Sequence, residues 1–316
     1  MREENLAENF ATQECLPGLQ RLQNEDGGWG YVEARESRVE PTAWALLALQ
    51  EFSSSQVTQD SVDRGLRFLK GAQLENGSWA AVSGHSEGCW VTSLACWALH
   101  AHADYIESLS RGLRWLNEDL PADSGFVWRI VRRLSDPKKI NAQNPSLNGW
   151  SWTRHTSSWV EPTAYALIVQ QCRAAKPESA SLLRRCKVAE AMLYDRMCAG
   201  GGWNCGNPRI YGVAGQPQIG PTVWALVALR EYPQRDENRL SLDWLASEGQ
   251  TNSTPESLSL AIIALRIYGR RITDFIDRLF KLYQSASFPW SVPAMSWATL
   301  AMSDSLKWLS VCRENQ

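Results

Sequence analysis

Apolar residues recur along this chain in runs that are apolar on nearly every helical face. The clearest run occupies residues 40–49 and reads EPTAWALLAL; it returns as EPTAYAL at 161–167 and as GPTVWALVAL at 220–229. Looser copies start at residues 90, 256 and 293. Proline suits the first position of a helix, where its missing N–H would be unbonded anyway. A helix that is apolar all round is buried, so the pattern predicts six buried inner helices.

A second kind of segment precedes the buried runs and carries charge on one side of a helical pattern. Two clear copies read RGLRFL at 64–69 and RGLRWL at 111–116, and later ones are predicted at about 178–197, 236–248 and 272–284. Residues 17–23 and a helix at about 303–313 are expected to pack together and close a ring. The alternation predicts an all-α fold, an (α/α)6 toroid of six outer and inner helix pairs, with residues 1–316 as one domain.

Glycine and tryptophan recur between each outer helix and the next inner one. The copies are Gly27-Gly28-Trp29, Gly77-Ser78-Trp79, Asn148-Gly149-Trp150 and Gly201-Gly202-Trp203, with a degraded copy at Pro289-Trp290. Gln23 and Gln73 precede the first two copies. Glycine permits a left-handed turn, a glutamine amide can bond free helix-end groups, and an indole can cover the seam between repeats. We interpret these turns as structural.

Composition excludes several classes of protein. A net charge of −2 gives no reason to expect nucleic acid as a partner. The eight cysteines include no C-x-x-C pair, which favours reduced, buried thiols inside the cell. The N-terminal residues do not resemble a signal peptide, and no apolar run reaches the roughly 18 residues of a spanning helix. We therefore expect a cytoplasmic protein that is soluble or at most peripheral to a membrane.

Two long connections interrupt the repeats. The insertion at 121–148 is basic, and we interpret it as a lid or a partner-docking segment. Its cations are Arg129, Arg132, Arg133, Lys138 and Lys139. The stretch at 204–220 is rich in glycine and proline and is a second mouth loop.

The alternation of Gln-x-x-x-Gly-x-Trp turns with Pro-Thr-Ala-Trp-Ala-Leu helices resembles the repeats of squalene and oxidosqualene cyclases, class II terpene cyclases and protein prenyltransferase β subunits. The resemblance runs from about residue 17 to 302. It implies an α/α toroid that handles an apolar isoprenoid, with a prenyl diphosphate as one candidate. Prenyltransferase β subunits work with a helical partner subunit, so a protein partner stays open.

The resemblance also implies a place for an acid. Class II cyclases protonate an alkene or epoxide with the middle aspartate of a D-x-D-D-T-A motif. By the Thr-Ala register, that position is held here by Glu40 and Glu161, while the flanking aspartates are absent. His155, six residues before Glu161, could orient or recharge the donor. The alternatives are that both glutamates cap their helices and that His155 is an ordinary loop residue.

Other side chains at the same mouth could bind substrate. Guanidinium groups grip phosphate oxygens, and aromatic faces attract carbocations. The arginine candidates are Arg35, Arg38, Arg154 and Arg209, and the aromatic candidates for lining the cavity are Trp44, Trp97, Tyr165, Trp224 and Trp297. Solvated loop arginines and core packing between helices are the competing interpretations.

We expect no metal and no cofactor. The D-D-x-x-D magnesium motif is absent, a zinc triad cannot be placed, and His85 with Cys89 is the nearest local pair of nitrogen and sulfur ligands. No Ser-His-Asp order, P-loop or dinucleotide turn is visible.

The leading functional hypothesis is an isoprenoid-processing enzyme similar to a small class II terpene cyclase. It would start cyclisation by protonation in a central aromatic cavity. The alternatives are a non-catalytic toroid that binds an apolar ligand or a protein, a prenyltransferase β-like subunit, and a sugar-acting enzyme that uses Glu40 and Glu161 as its acid/base pair.

Overall fold

The computed structural model describes residues 10–52, 55–125, 130, 143–144, 146–172, 180–251, 254–285 and 288–310. Most of the basic insertion predicted at 121–148 lies outside these ranges, as do its cations Arg129, Arg132, Arg133, Lys138 and Lys139. The protein is mostly helical, as the alternating pattern predicts. None of the helices in the described part of the chain is long and apolar enough to cross a bilayer.

The helices follow one another in the order expected for alternating outer and inner elements. They are α1 (Leu16–Arg21), α2 (Val39–Glu51), α3 (Gln56–Gly71), α4 (Val91–Leu99), α5 (Ile106–Glu118), α6 (Val160–Cys172), α7 (Ala180–Asp195), α8 (Ile219–Ala228), α9 (Asp236–Thr251), α10 (Pro255–Ile267), α11 (Thr273–Gln284) and α12 (Val292–Met302). A π-helical turn, Ala11–Cys15, leads into α1. Short 3₁₀ turns lie at Ala103–Tyr105, Ala122–Ser124 and Lys307–Leu309.

The even-numbered helices are the predicted buried runs, and they pack side by side. Helix α2 contacts α4, α4 contacts α6, and the series continues through α8 and α10 to α12, which returns to α2. The odd-numbered helices lie outside them, with α3 on α2, α5 on α4, α7 on α6, α9 on α8, α11 on α10 and α1 on α12. The inner helices therefore form a closed circuit, and the core lies within and around it.

Each tryptophan turn joins three pieces of chain. The indole N–H of Trp29 donates to the carbonyl of Leu19 at 2.7 Å, in the last turn of α1, where carbonyls have no helical partner. The backbone N–H of Trp29 donates to the hydroxyl of Thr42 at 2.9 Å. The same two bonds recur at Trp79, Trp150 and Trp203, with Thr92, Thr163 and Thr222 as the hydroxyl partners. This explains the threonine in the repeated Pro-Thr step.

The glutamines and glycines of these turns are structural, as predicted, although the glutamines choose other partners. The amide of Gln73 donates to Gly77 at 2.8 Å and to Ser108 of α5 at 2.8 Å. It therefore links its own turn to the following outer helix rather than bonding a free helix end. Gly77 has a φ of +89°, and a Cβ there would come within 2.8 Å of the Arg111 carbonyl, so only glycine fits.

The chain end closes differently from the prediction of a helix at 303–313. Over its described part, up to residue 310, this segment is irregular with one 3₁₀ turn. The reason is Glu51, a buried carboxylate that accepts from the backbone N–H groups of Lys307 at 3.2 Å and Trp308 at 3.1 Å. The hydroxyls of Ser303 and Ser305 also donate to it. Backbone groups directed at one carboxylate cannot continue a helical ladder.

The second mouth loop, predicted at 204–220, contains a small antiparallel hairpin. Strand β1 (Arg209–Ile210) pairs with β2 (Val213–Ala214), with Arg209 opposite Ala214. The side chains of Ile210, Tyr211 and Val213 are exposed.

Candidate functional site

Residues in the same register begin the six inner helices, and we call them the rim residues. They are Glu40, Trp90, Glu161, Gly220, Glu256 and Pro293. Helix α2 begins at Val39, so Glu40 is its second residue and the proline its third. The proline therefore lies two positions later than predicted, still within the turn whose N–H groups lack helical partners.

One to two helical turns deeper, aromatic side chains meet at the centre of the circuit. The aromatic cluster comprises Trp44, Trp97, Tyr165, Trp224 and Trp297. The ring of Trp44 stacks on Trp224 with centroids 4.9 Å apart and meets the other three edge-on at 5.8 to 6.0 Å. Trp44 is only 1% exposed and Trp97 is fully buried. The rings predicted to line a cavity thus pack on one another and fill the centre at this level.

Glu40 lies above this cluster and is held by one phenol. The hydroxyl of Tyr31 donates to its Oε2, and the backbone carbonyl of Tyr31 accepts from Val292 at 2.9 Å, which fixes it to the start of α12. Burial raises the pKa of Glu40, while Tyr31 and then the nearby Trp44 indole lower it in part. The Trp44 N–H nevertheless lies outside strict hydrogen-bond geometry with any described residue.

Glu161 is the most perturbed acid of the site. Burial, and then the charge of Glu40, raise its pKa from 4.5 to about 7. In the D-x-D-D-T-A motif, the carboxylates beside the acid come from the same segment. Here the carboxylate that acts on Glu161 is Glu40, which belongs to another repeat two inner helices away. A carboxylate that only capped a helix would have a lowered pKa, because the helix dipole favours its charged form. Both glutamates show the opposite shift.

The remaining polar groups near the pair stay neutral. Burial and the two glutamates raise the pKa of Tyr165 well above its ordinary value. Burial also raises the pKa of Cys89, which lies beside Glu40, and of Cys205, which lies beside Glu161. Both cysteines are therefore thiols at neutral pH, and a thiolate is what nucleophilic catalysis needs. The arrangement can donate a proton but is poorly suited to covalent catalysis.

The structure separates the predicted cations from one another. Arg35 is exposed, and Arg38 pairs with Glu36 at 3.1 Å. Arg154 is held by Asp119 at 3.1 Å. The three arginines therefore differ in their partners: Arg38 and Arg154 each pair with a different carboxylate, and Arg35 is exposed to solvent.

Two further candidates lie in loops. Arg209 bonds the carbonyl of Gly212 at 3.2 Å within the hairpin. His155 lies exposed at a loop position with a φ of +60°. Neither makes a hydrogen bond to Glu40 or Glu161 among the described residues.

Within the described ranges, no group of three or more histidine, cysteine, aspartate or glutamate residues is arranged to hold a metal ion. His85 is exposed and Cys89 is buried, so the nearest nitrogen and sulfur pair of the sequence is split between surface and interior.

Comparison with known proteins agrees with these repeats. Residues 3–89 match the family model of the squalene-hopene cyclase C-terminal domain. Lanosterol synthase of Saccharomyces cerevisiae is 41% identical over 69 residues, which are 18% of this chain and 9% of that protein. The squalene–hopene cyclase of Zymomonas mobilis is 32% identical over 83 residues, 23% of this chain and 12% of that protein. The matched segments thus span about a tenth of these relatives.

Similarity to solved structures covers far more of the chain. A variant of the type II terpene cyclase MstE from Scytonema, in complex with the substrate geranylgeranyl dihydroxybenzoate, superposes with a TM-score of 0.59 at 10% identity, over 96% of this chain and 98% of that one. A protein from Actinoplanes gives a TM-score of 0.63 at 14% identity, over 93% and 98%. The first part of the chain is thus similar to squalene-hopene cyclases, and the fold of nearly the whole chain is similar to that of a type II terpene cyclase. At these identities the structural likeness concerns the fold alone.

Two aromatic residues at the rim were not among the site residues predicted from the sequence. Tyr31 follows a tryptophan turn, and nothing in its local sequence connects it with Glu40, because the bond crosses a loop. Trp90 stacks on Tyr165 at 5.7 Å and meets Trp152 edge-on at 4.9 Å. The register of the repeats places Trp90 at the start of an inner helix, and this could have identified it as a site residue.

Proposed function

We propose that this chain is an isoprenoid-processing enzyme of the class II cyclase type, in which Glu161 donates a proton to an alkene or epoxide at the rim of the helical circuit. The observation that carries the proposal is the Glu161 carboxyl, whose pKa is about 7 next to a second carboxylate and above a layer of aromatic rings. An acid with a pKa near the working pH is both protonated and able to transfer its proton.

The two glutamates take different roles in this mechanism. Glu40 accepts a hydrogen bond from Tyr31, which favours its carboxylate. Burial, and then the charge of Glu40, keep the proton on Glu161. When the Glu161 O–H bond breaks, the proton forms a new C–H bond and the alkene's electron pair is used. Positive charge then develops on the neighbouring carbon, and the aromatic rings of Tyr165 and Trp224 lie one turn below it.

The substrate class follows from the aromatic floor and from the similar proteins. Curated relatives are named for squalene–hopene cyclisation and lanosterol synthesis, and the MstE variant holds a geranylgeranyl compound. We infer an apolar isoprenoid for this chain too. Where the substrate carries a diphosphate, Arg38 is our first choice to meet it, since its charge reaches Tyr31 beside Glu40. Arg35, Arg154 and Arg209 lie in the surrounding loops, and His155 is assigned no step.

Turnover in deuterated water tests this proposal. Squalene, farnesyl diphosphate and geranylgeranyl diphosphate are each incubated with the protein, and products are examined by mass spectrometry for cyclisation and one added deuteron. Glu161→Gln should abolish the labelled product. Glu256→Gln changes a rim residue of another repeat in the same way and should retain it. Absence of turnover with every prenyl substrate would reject the enzyme.

One observation favours a second function, a non-catalytic ring that binds an apolar ligand or a protein. The aromatic cluster fills the centre, where a cyclase substrate would fold. In this case an apolar molecule binds at the rim without reacting. An isoprenoid recovered unchanged from the purified protein, bound equally by wild type and Glu161→Gln, would support this second function over the first.

A further inference from the structure

One rim position carries no side chain. Gly220 lies in the first turn of α8, at the register that Glu40, Glu161 and Glu256 occupy in other repeats. It is absent from the residues with positive φ, so its backbone conformation is open to any amino acid. Glycine also has a low helix propensity. The backbone at this position therefore does not require glycine.

Packing does not require glycine there either. At Gly65 and Gly112, an added Cβ would come within 2.7 Å of Trp29 and 2.5 Å of Cys96, so those glycines permit close helix packing. At Gly220 an added Cβ would meet one described atom within 4 Å, the Oε1 of Glu161, at an ordinary contact distance of 3.6 Å. The missing side chain therefore leaves one face of the Glu161 carboxyl uncovered.

The uncovered face connects to solvent on one side and to the aromatic cluster on the other. Cys205 and Gln218 are exposed above it, and the thiol of Cys205 donates to the side-chain Oε1 of Gln218 at 3.4 Å. Trp224 lies one turn below Gly220 in the same helix and stacks on Trp44. A molecule that displaced these two exposed side chains would reach the carboxyl over the glycine, with an aromatic ring beneath it.

We infer that Gly220 determines substrate access and specificity, because the reacting group must lie in the space beside Glu161 that a side chain at position 220 would occupy. The inference rests on the proposed function for the nature of that group, a flat alkene end of an apolar chain. The access itself is a property of the carboxyl and can be measured without turnover.

Carboxyl labelling measures that access. A water-soluble carbodiimide with a small amine is applied to wild type, Gly220→Ala, Gly220→Leu and the control Gly200→Leu, and labelling of Glu161 and Glu256 is followed by peptide mass spectrometry. Gly200 is exposed, and an added Cβ there meets no described atom within 4 Å. Gly220→Leu should slow labelling of Glu161 by at least about tenfold, since single methylene groups in a confined site change rates by that order. Glu256 should react at an unchanged rate in every variant.

Labelling of Glu161 at the wild-type rate in Gly220→Leu would overturn the inference. Should the leucine variant fail to fold, Gly220→Ala and Gly220→Ser decide the question. A graded slowing of Glu161 labelling is expected, and an unchanged rate would contradict the inference.

Turnover measurements separate this inference from the proposed function. Blocked labelling in a protein that converts no prenyl substrate supports the access route and rejects the enzyme. If Gly220→Leu leaves the turnover rate unchanged, Gly220 does not determine substrate access, and the proposed enzymatic function is retained.

Discussion

Two groups of tryptophans in this protein differ in the hydrogen bonds of their indole N–H groups. The seam tryptophans are Trp29, Trp79, Trp150 and Trp203, and the indole N–H of each donates to a carbonyl in the last turn of an outer helix at 2.6 to 2.8 Å. Within the aromatic cluster, the indole N–H of Trp97 donates to the carbonyl of Trp308 at 2.7 Å. The buried N–H groups of Trp44 and Trp297, in contrast, have no hydrogen-bond partner among the described residues.

The difference shows where stability is maximised and where it is not. A buried donor without a partner costs about 1–3 kcal/mol. The hydrogen-bonding capacity of the indole N–H groups is therefore fully used at the seam but not at the centre. The Trp44 indole, whose N–H lacks a hydrogen-bond partner, lies next to Glu40, one of the two carboxyl groups with a raised pKa. Local misfit of this kind is typical of functional sites, although structural networks also produce it.

The largest expected effect contrasts the two groups directly. Trp79→Phe removes a buried hydrogen bond, leaves the Leu69 carbonyl without its indole donor and opens a cavity, so we expect a loss of about 3 kcal/mol in the free energy of unfolding. Trp44→Phe opens a similar cavity but removes an N–H that has no partner, so its loss should be smaller, about 1 kcal/mol. Urea unfolding of both variants measures the contrast, and equal losses would show that hydrogen bonding does not distinguish the groups.

The second effect concerns the acid. The folded protein raises the pKa of Glu161 from 4.5 to about 7, so the folded state holds this proton more tightly than the unfolded chain does. Its contribution to stability is present below pH 4.5 and is lost as the pH rises toward 7. Glu161→Gln should therefore stabilise the protein at pH 8 by roughly 2 kcal/mol and change little at pH 4.

Urea unfolding at the two pH values tests this, with Glu256→Gln as the matched control. The control should leave the pH dependence of stability close to that of wild type. A Glu161→Gln variant that is less stable than wild type at pH 8 would mean that the carboxylate is favourably placed in the folded state.

The smallest effect concerns Tyr31. Its hydroxyl favours the carboxylate of Glu40, and Tyr31→Phe should raise the pKa of Glu40. A less charged Glu40 then raises the pKa of Glu161 less, so the Glu161 pKa should fall slightly. Carboxyl resonances of isotope-labelled protein, followed by NMR during a pH titration, report both values. An unchanged Glu161 titration would show that the two carboxyls are not coupled through this bond.

Repeats made much of the fold predictable. The runs starting at Glu40, Glu161 and Gly220 are apolar on all sides, and a helix of that kind has to be covered by others. The glycines of the tryptophan turns were predictable for a similar reason, since Gly77 takes a φ that other residues avoid. The irregular end around Lys307 was not, because it depends on Glu51, which lies far away in the chain.

The sequence by itself determined the alternation of buried and amphipathic helices, the turns that join them and the register of the two glutamates, because these depend on periodicity and on local backbone preferences. Only the tertiary structure decided that Glu40 and Glu161 share one electrostatic environment, that Tyr31 holds one of them and that the central rings pack on each other. Burial and the distance between charges set a carboxyl's pKa, and both come from chain segments that meet only when the circuit of inner helices closes.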